Sequence, residues 1–188
     1  MPWFIVIFSY LLGSIPTSYI AGRITTGRDI RQLGDENAGA ANAYRELGRI
    51  AGIYVFLIDA VKGAAVILIA RVVEMPQGVV LTAGLAAVVG HNWPVFLGFR
   101  GGRGVSTTIG ILYVLVAIPM LILTLPALLI LILKRNVTPS MAFLFIALPA
   151  VDWLFKVQPI LIWYGLALPV LIGITTWFRN RNKVLRQA

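Results

Sequence analysis

Three short segments carry most of the side chains in this chain that have chemistry to offer. The first, Gly34-Asp35-Glu36-Asn37-Ala38-Gly39-Ala40-Ala41-Asn42-Ala43-Tyr44-Arg45, is built of small residues and Asn that favour tight turns with exposed N–H groups, and Arg45 then supplies a guanidinium able to hold a phosphate. The second runs from Gly90-His91-Asn92-Trp93-Pro94 through Arg100-Gly101-Gly102-Arg103-Gly104 to Ser106-Thr107-Thr108. Glycines that admit a ligand close to the backbone, two Arg and a hydroxyl-rich helix start make a phosphate cradle, although the spacing of a Walker A loop is absent. Glycines also pack helices, and an Arg pair also marks the inner side of a membrane protein, so a structural reading stands beside the functional one. The third is Asp59 with Lys62, three residues apart on one face of an apolar helix. Such charges are costly in a membrane unless paired, and they read first as an ion pair near the cytoplasmic end of their span, second as a substrate contact. His91 is the one imidazole, and a lone His serves as a packed hydrogen-bonding residue as readily as a general base.

Those segments need elements to hold them, and composition says what kind. Of 188 residues 59% are hydrophobic and 12% charged, and mean hydropathy is +0.89. A soluble globule of this size has too small an interior to hide that much apolar side chain, so lipid is the solvent. The formal charge of +9 comes from 16 Lys and Arg against 7 Asp and Glu, and the cations cluster in short gaps between apolar runs. That pattern belongs to membrane topology, anionic headgroups or an anionic substrate, and no nucleic-acid partner is expected. With no Cys and a single His, disulfides and thiolate nucleophiles are excluded and a metal site is not expected. The N-terminal apolar run lacks basic residues before it and a small-residue cleavage site after it, so it reads as a span.

Apolar runs of membrane-crossing length fall at Trp3–Ile20, Ile50–Val73, Gly78–Leu97, Val105–Leu133, Ser140–Phe155 and Pro159–Phe178. The fourth, 29 residues with Pro119 near its middle, would be about 43 Å long as one helix against a hydrocarbon core of about 30 Å. Dividing it near Pro119 gives about seven transmembrane helices in an all-α, polytopic, single domain over 1–188. The N-terminus then lies outside, and the basic groups from Arg23 to Arg49, at Arg100 and Arg103, at Lys134 and Arg135, and in the tail lie inside. Six spans would strand the last two groups outside. Asp59 and Lys62 are the ionisable residues counted inside spans, too few for a small transporter.

The same segments resemble the bacterial acyl-phosphate:glycerol-3-phosphate acyltransferases, the PlsY-type family. The likeness runs from Gly13-Ser14-Ile15-Pro16-Thr17-Ser18-Tyr19 and Asp29-Ile30-Arg31, through Asn37-Ala38-Gly39-Ala40, Asn42 and Arg45, to Asp59-Ala60-Val61-Lys62-Gly63 and Gly90-His91-Asn92-Trp93-Pro94-Val95-Phe96 with Arg100 to Val105. The resemblance implies acyl transfer from acyl phosphate to the first hydroxyl of glycerol 3-phosphate, forming lysophosphatidic acid at the cytoplasmic face of the cell membrane. The donor is an activated mixed anhydride, so neither a covalent enzyme intermediate nor a cofactor is required. It further implies that Arg45 binds glycerol phosphate, that Arg100, Gly101, Gly102, Arg103 and Gly104 cradle the acyl phosphate, and that His91 and Asn92 support the site. Asn37 and Asn42 join the substrate-binding set, with Thr138 where the family has a Ser, and Asn180 or Asn182 from the tail.

Four departures distinguish this chain from that pattern. Asp35-Glu36 stands for the usual Ser-Gly, Ala41 for a hydroxyl residue, Arg103 for Lys, and Arg179-Asn180-Arg181-Asn182-Lys183 for a tail with His and Glu. A carboxylate near a phosphate dianion repels it unless it is protonated or paired with Arg. Asp35 therefore enters the expected catalytic set, with His91 and Arg103, as a base for the glycerol hydroxyl. The rival reading is a non-catalytic membrane paralogue that binds lipid or acyl phosphate.

Overall fold

The computed structural model describes residues 2–187, with side chains as far as Arg181, and every regular element among them is helical. Nine α-helices follow one another among these residues: α1 Pro2–Gly13, α2 Thr17–Thr26, α3 Ala40–Glu46, α4 Arg49–Val72, α5 Gln77–Asn92, α6 Val105–Leu115, α7 Ala117–Lys134, α8 Val137–Leu154 and α9 Pro159–Gln187. Six stretches are long and apolar enough to cross a membrane: 2–26, 49–72, 77–97, 117–134, 137–154 and 159–181. The helix α6 is equally apolar but has only 11 residues, about 16 Å.

Two of the expected spans break, and each break has a local cause. The first run is two helices with an interruption at Ser14–Pro16, because Pro16 has no N–H to continue the ladder and holds its neighbours extended. The 29-residue run divides at Val116 (φ −136°, ψ 58°), three residues before Pro119. Pro119 therefore sits in the first turn of α7, where no intrahelical N–H is needed, so it starts that helix and does not kink it.

The residues group into two compact units, Met1–Ile111 and Leu112–Ala188. In the first, α4 shows why a chain so apolar still has a definite inside. Ile53, Leu57, Val61 and Leu68 recur on one exposed face, while Gly52, Val55, Asp59, Lys62, Gly63, Val66 and Ile67 are buried on the other. The exposed stripe is what a lipid-facing helix presents, and the buried stripe mixes small residues with one ion pair. Small residues let backbones touch. A Cβ on Gly13 would collide with the backbone of Ala87 on α5, and one on Gly110 with the backbone of Ala60 on α4. In the second unit α7 and α8 form a hairpin closed by Arg135 in the left-handed region (φ 49°) and by Asn136, whose side chain accepts from the Thr138 N–H at 2.9 Å. Ser140 donates across this hairpin to the Ala127 carbonyl, and Tyr113 pairs with Thr124.

Gly13→Val is expected to lower the thermal midpoint of the detergent-solubilised protein, an overpacking cost of about 1–3 kcal/mol. Leu57→Ala, on the exposed face of α4, is expected to change stability by no more than about 0.5 kcal/mol. Size-exclusion thermal-stability curves of the two variants check both.

Candidate functional site

Everything at the centre of the first unit converges on one carboxylate oxygen. Asp59 Oδ1 accepts from the Thr17 hydroxyl at 2.9 Å and from Lys62 Nζ at 2.8 Å, and His91 Nδ1 stands 3.7 Å away. Lys62 also donates to the Ile15 carbonyl at 3.1 Å, a group left without a helical partner by the Pro16 break. The side chains of Asp59 and Lys62 are only 2% and 5% exposed. The expected pair is therefore present, but it lies ten residues into the 24-residue α4, about 15 Å from its start and near the middle of the helix. Thr17 and the Ile15 carbonyl are parts of this cluster that the sequence reading missed. A Pro interrupting an apolar run was the signal, since a broken membrane helix frees carbonyls that a buried cation can use.

The loop after α5 folds over this cluster. Its Gly101 and Gly102 N–H groups donate to the carbonyls of Asn92 (3.1 Å) and His91 (3.0 Å). Both N–H groups are thus engaged in the turn itself. The smallness of the two glycines matters too. A Cβ on Gly102 would run into the His91 imidazole at Nε2 and the Ala38 carbonyl, and one on Gly101 into the His91 carbonyl and Pro94. His91 is thus held with Nδ1 toward Asp59 and Nε2 toward the glycine turn, beside a small recess that also touches Ser14, Thr17 and Ala38 and has room for about one water. Gly104 takes φ +84° against Asn92, which is wholly buried and so braces the turn from within. Arg100 is exposed and Arg103 half-buried.

The first loop supplies the other cations. Asn42, expected to bind substrate, is wholly buried and spends its amide on the loop itself. It donates to the Ile30, Leu33 and Asn37 carbonyls at 3.0–3.2 Å and accepts from the Asp35 N–H at 3.2 Å. Asn42 thus shapes the segment that presents Asp35, Asn37 and Arg45. Asp35 Oδ2 lies 2.8 Å from Arg45 Nη2 and 3.7 Å from Arg103 Nη2, and Oδ1 accepts from the Asn37 N–H at 3.1 Å. The repulsion expected from Asp35 is therefore met by two guanidiniums, while Glu36 is exposed. The Asn37 side-chain oxygen is buried with no hydrogen-bond partner.

A second clasp ties the two loops together. Arg31 forks onto Asp29 at 2.7–3.1 Å, donates to the Leu97 carbonyl at 2.9 Å and lies 5.5 Å from the Tyr19 ring. The guanidinium holds the Asp29 carboxyl below its ordinary value, and the carboxylate raises Arg31 in turn.

Thr138 and Asn180 belong to the second unit, where both are exposed; the Asn182 side chain lies outside the described residues. The count of ionisable residues within spans is corrected by Asp152, wholly buried in the last turn of α8. It sits near the end of its apolar run, where sequence alone reads a boundary.

A helical chain with six stretches able to cross a membrane among its described residues, and with two loop arginines and a buried Asp–Lys–His cluster in its first unit, defines a polytopic membrane protein with a polar centre. The glycerol-3-phosphate acyltransferase family model matches residues 3–187, and the chain belongs to that family. Glycerol-3-phosphate acyltransferase 4 of Dehalococcoides mccartyi is 44% identical over 185 residues, covering 98% of this chain and 100% of that one. The glycerol-3-phosphate acyltransferase of Halalkalibacterium halodurans is 37% identical across 98% of this chain and 90% of its own. Among solved structures, PlsY (YgiH), an integral membrane glycerol 3-phosphate acyltransferase, in its glycerol 3-phosphate form matches with TM-score 0.83 and 33% identity over 99% of this chain and 92% of that one. Its lysophosphatidic acid form matches with TM-score 0.80 and 31% identity.

Arg31→Ala is expected to lower stability by about 1–2 kcal/mol, the loss of charge-assisted bonds. The folded-state value of Asp29 is depressed, so the clasp is at full strength above the ordinary carboxylate range and weakens as pH falls through the lowered value. The stability gap between wild type and Arg31→Ala is then constant from about pH 6 to 8 and narrows below about pH 4 to what the Leu97 and Tyr19 contacts supply, as thermal melts at a series of pH values would show.

Proposed function

We propose that this chain transfers a fatty acyl group from acyl phosphate to the first hydroxyl of glycerol 3-phosphate, releasing phosphate and forming lysophosphatidic acid. The observation that supports this most is the convergence of Arg45 and Arg103, from separate loops, on one anion seat beside the turn that packs on His91. Both substrates carry phosphate, and planar guanidiniums suit its oxygens. The acyl chain of the donor reaches the site from the bilayer, which the exposed apolar faces of the helices contact.

In this reading Arg45 takes the phosphate of glycerol 3-phosphate, while Arg103, with Arg100 and the turn at Gly104, takes the acyl phosphate. The glycerol hydroxyl attacks the acyl carbonyl, its proton passes to His91, and phosphate leaves with the electrons of the anhydride bond. His91 suits the proton step because Asp59 faces its Nδ1 and so favours Nε2 as the acceptor toward the glycine turn. Asp35 suits it less, since its oxygens are engaged by two guanidiniums and a backbone N–H. Asn37, with a buried side-chain oxygen open to a donor, is a candidate contact for the polyol. Thr138, Asn180 and Asn182 are carried as contacts on the resemblance alone. The alternative of a binding-only paralogue has no observation in its favour.

The orientation proposed is N-terminus outside and C-terminus inside, in the cell membrane, with both loops cytoplasmic. Support comes from the basic residues, nearly all of which fall in the gaps on one side of a seven-segment order.

Purified protein given acyl phosphate and glycerol 3-phosphate is expected to form lysophosphatidic acid. Arg45→Ala and Arg103→Ala should each lower kcat/KM by about 10²-fold or more, and His91→Gln should act mainly on kcat. Undiminished turnover in both arginine variants would remove the proposed phosphate sites.

A further inference from the structure

We infer that Asp35 is a specificity-determining residue: its carboxylate occupies the guanidiniums of Arg45 and Arg103 that the substrate phosphates need, so that entry requires an anion able to displace it. The inference rests on the proposed role of those arginines as phosphate contacts. Oδ2 lies 2.8 Å from Arg45 Nη2, a charge-assisted hydrogen bond, and 3.7 Å from Arg103 Nη2, a looser ion pair. The opposite oxygen is held at 3.1 Å by the Asn37 N–H, and Asn42 fixes the Asp35 backbone, so the carboxylate is delivered to the seat by the loop and is not a side chain that wandered there. The Asp35 side chain is 33% exposed and that of Arg45 51%, which leaves the contact open to exchange with an arriving anion.

Two cations and one fixed anion leave the seat with one net positive charge. A phosphate monoester carries about −1.5 to −2 at neutral pH and makes more hydrogen bonds to guanidinium than a carboxylate does. A phosphodiester or carboxylic acid carries −1 and has no such advantage over the resident Asp35. The residue therefore selects for dianionic monoesters at the expense of affinity. Removing its charge strengthens binding and relaxes that selection.

The test is equilibrium binding to the full-length detergent-solubilised protein, by titration calorimetry, of inorganic phosphate and glycerol 3-phosphate, with dimethyl phosphate as the singly charged probe. Asp35→Asn keeps the shape and an acceptor for the Asn37 N–H. It is expected to bind both dianions about 1.5- to 5-fold more tightly, a range set by exposed ion pairs, and to gain measurable affinity for dimethyl phosphate. Asp35→Glu, which retains the anion, is expected to keep the wild-type preference. Unchanged or weaker dianion binding in Asp35→Asn overturns the inference, as does a wild-type protein that already holds dimethyl phosphate as tightly as inorganic phosphate. Binding is read without turnover. The expected shifts in a protein that makes no acylated product would stand for the displacement and count against acyl transfer alone.

Discussion

A buried charge in a membrane helix must find its counter-charge within reach, and in this chain that demand organises the first unit. Asp59 and Lys62 stand on one face of α4 and are almost wholly hidden. Breaking such a pair by removing one partner costs about 3–5 kcal/mol, so the surroundings are built to keep it whole. Thr17 and the Ile15 carbonyl satisfy it from one side, and the Pro16 break exists where that carbonyl is needed. His91 completes it from α5, and the glycines at 101 and 102 leave room for the imidazole.

The cluster also explains why the loops sit where they do. The turn at Gly101–Gly102 is hydrogen-bonded to the end of α5 and packs on His91, so Arg103 leaves the turn at a fixed place. The first loop is folded around the buried amide of Asn42 and clasped to the other by Arg31 reaching the Leu97 carbonyl. Arg45 and Arg103 then meet at Asp35. An exposed set of charges is thus held beside a buried one by the loop hydrogen bonds and by His91.

Much of this was legible before any coordinates. Hydropathy and run length gave the helical membrane class, and the division of the 105–133 run followed from its length together with the side on which the later basic groups would otherwise fall. The loops at 34–45 and 90–108 stood out by their Gly, Asn and Arg content. What was not legible were roles that depend on partners distant in sequence. The amide of Asn42 meets carbonyls along its loop, and the N–H groups of Gly101 and Gly102 donate back to α5, pairings that composition does not reveal. Thr17 and Ile15 are ordinary residues of an apolar run, and only the helix break makes them polar partners. Asp35 read as a repulsive anion because pairwise charge reasoning does not reveal that two arginines from separate loops meet it.

The central claim is that the Asp59–Lys62 pair serves the site through His91 and is not merely a packing device. It is tested most directly by the double variant Asp59→Leu with Lys62→Met, which removes both charges and fills the space with apolar side chains, a replacement that tends to preserve or raise stability. The variant is expected to fold with a thermal midpoint within a few degrees of wild type and to form lysophosphatidic acid about 10²-fold or more slowly. Turnover within about 3-fold of wild type, a difference of well under 1 kcal/mol in transition-state stabilisation, would contradict it.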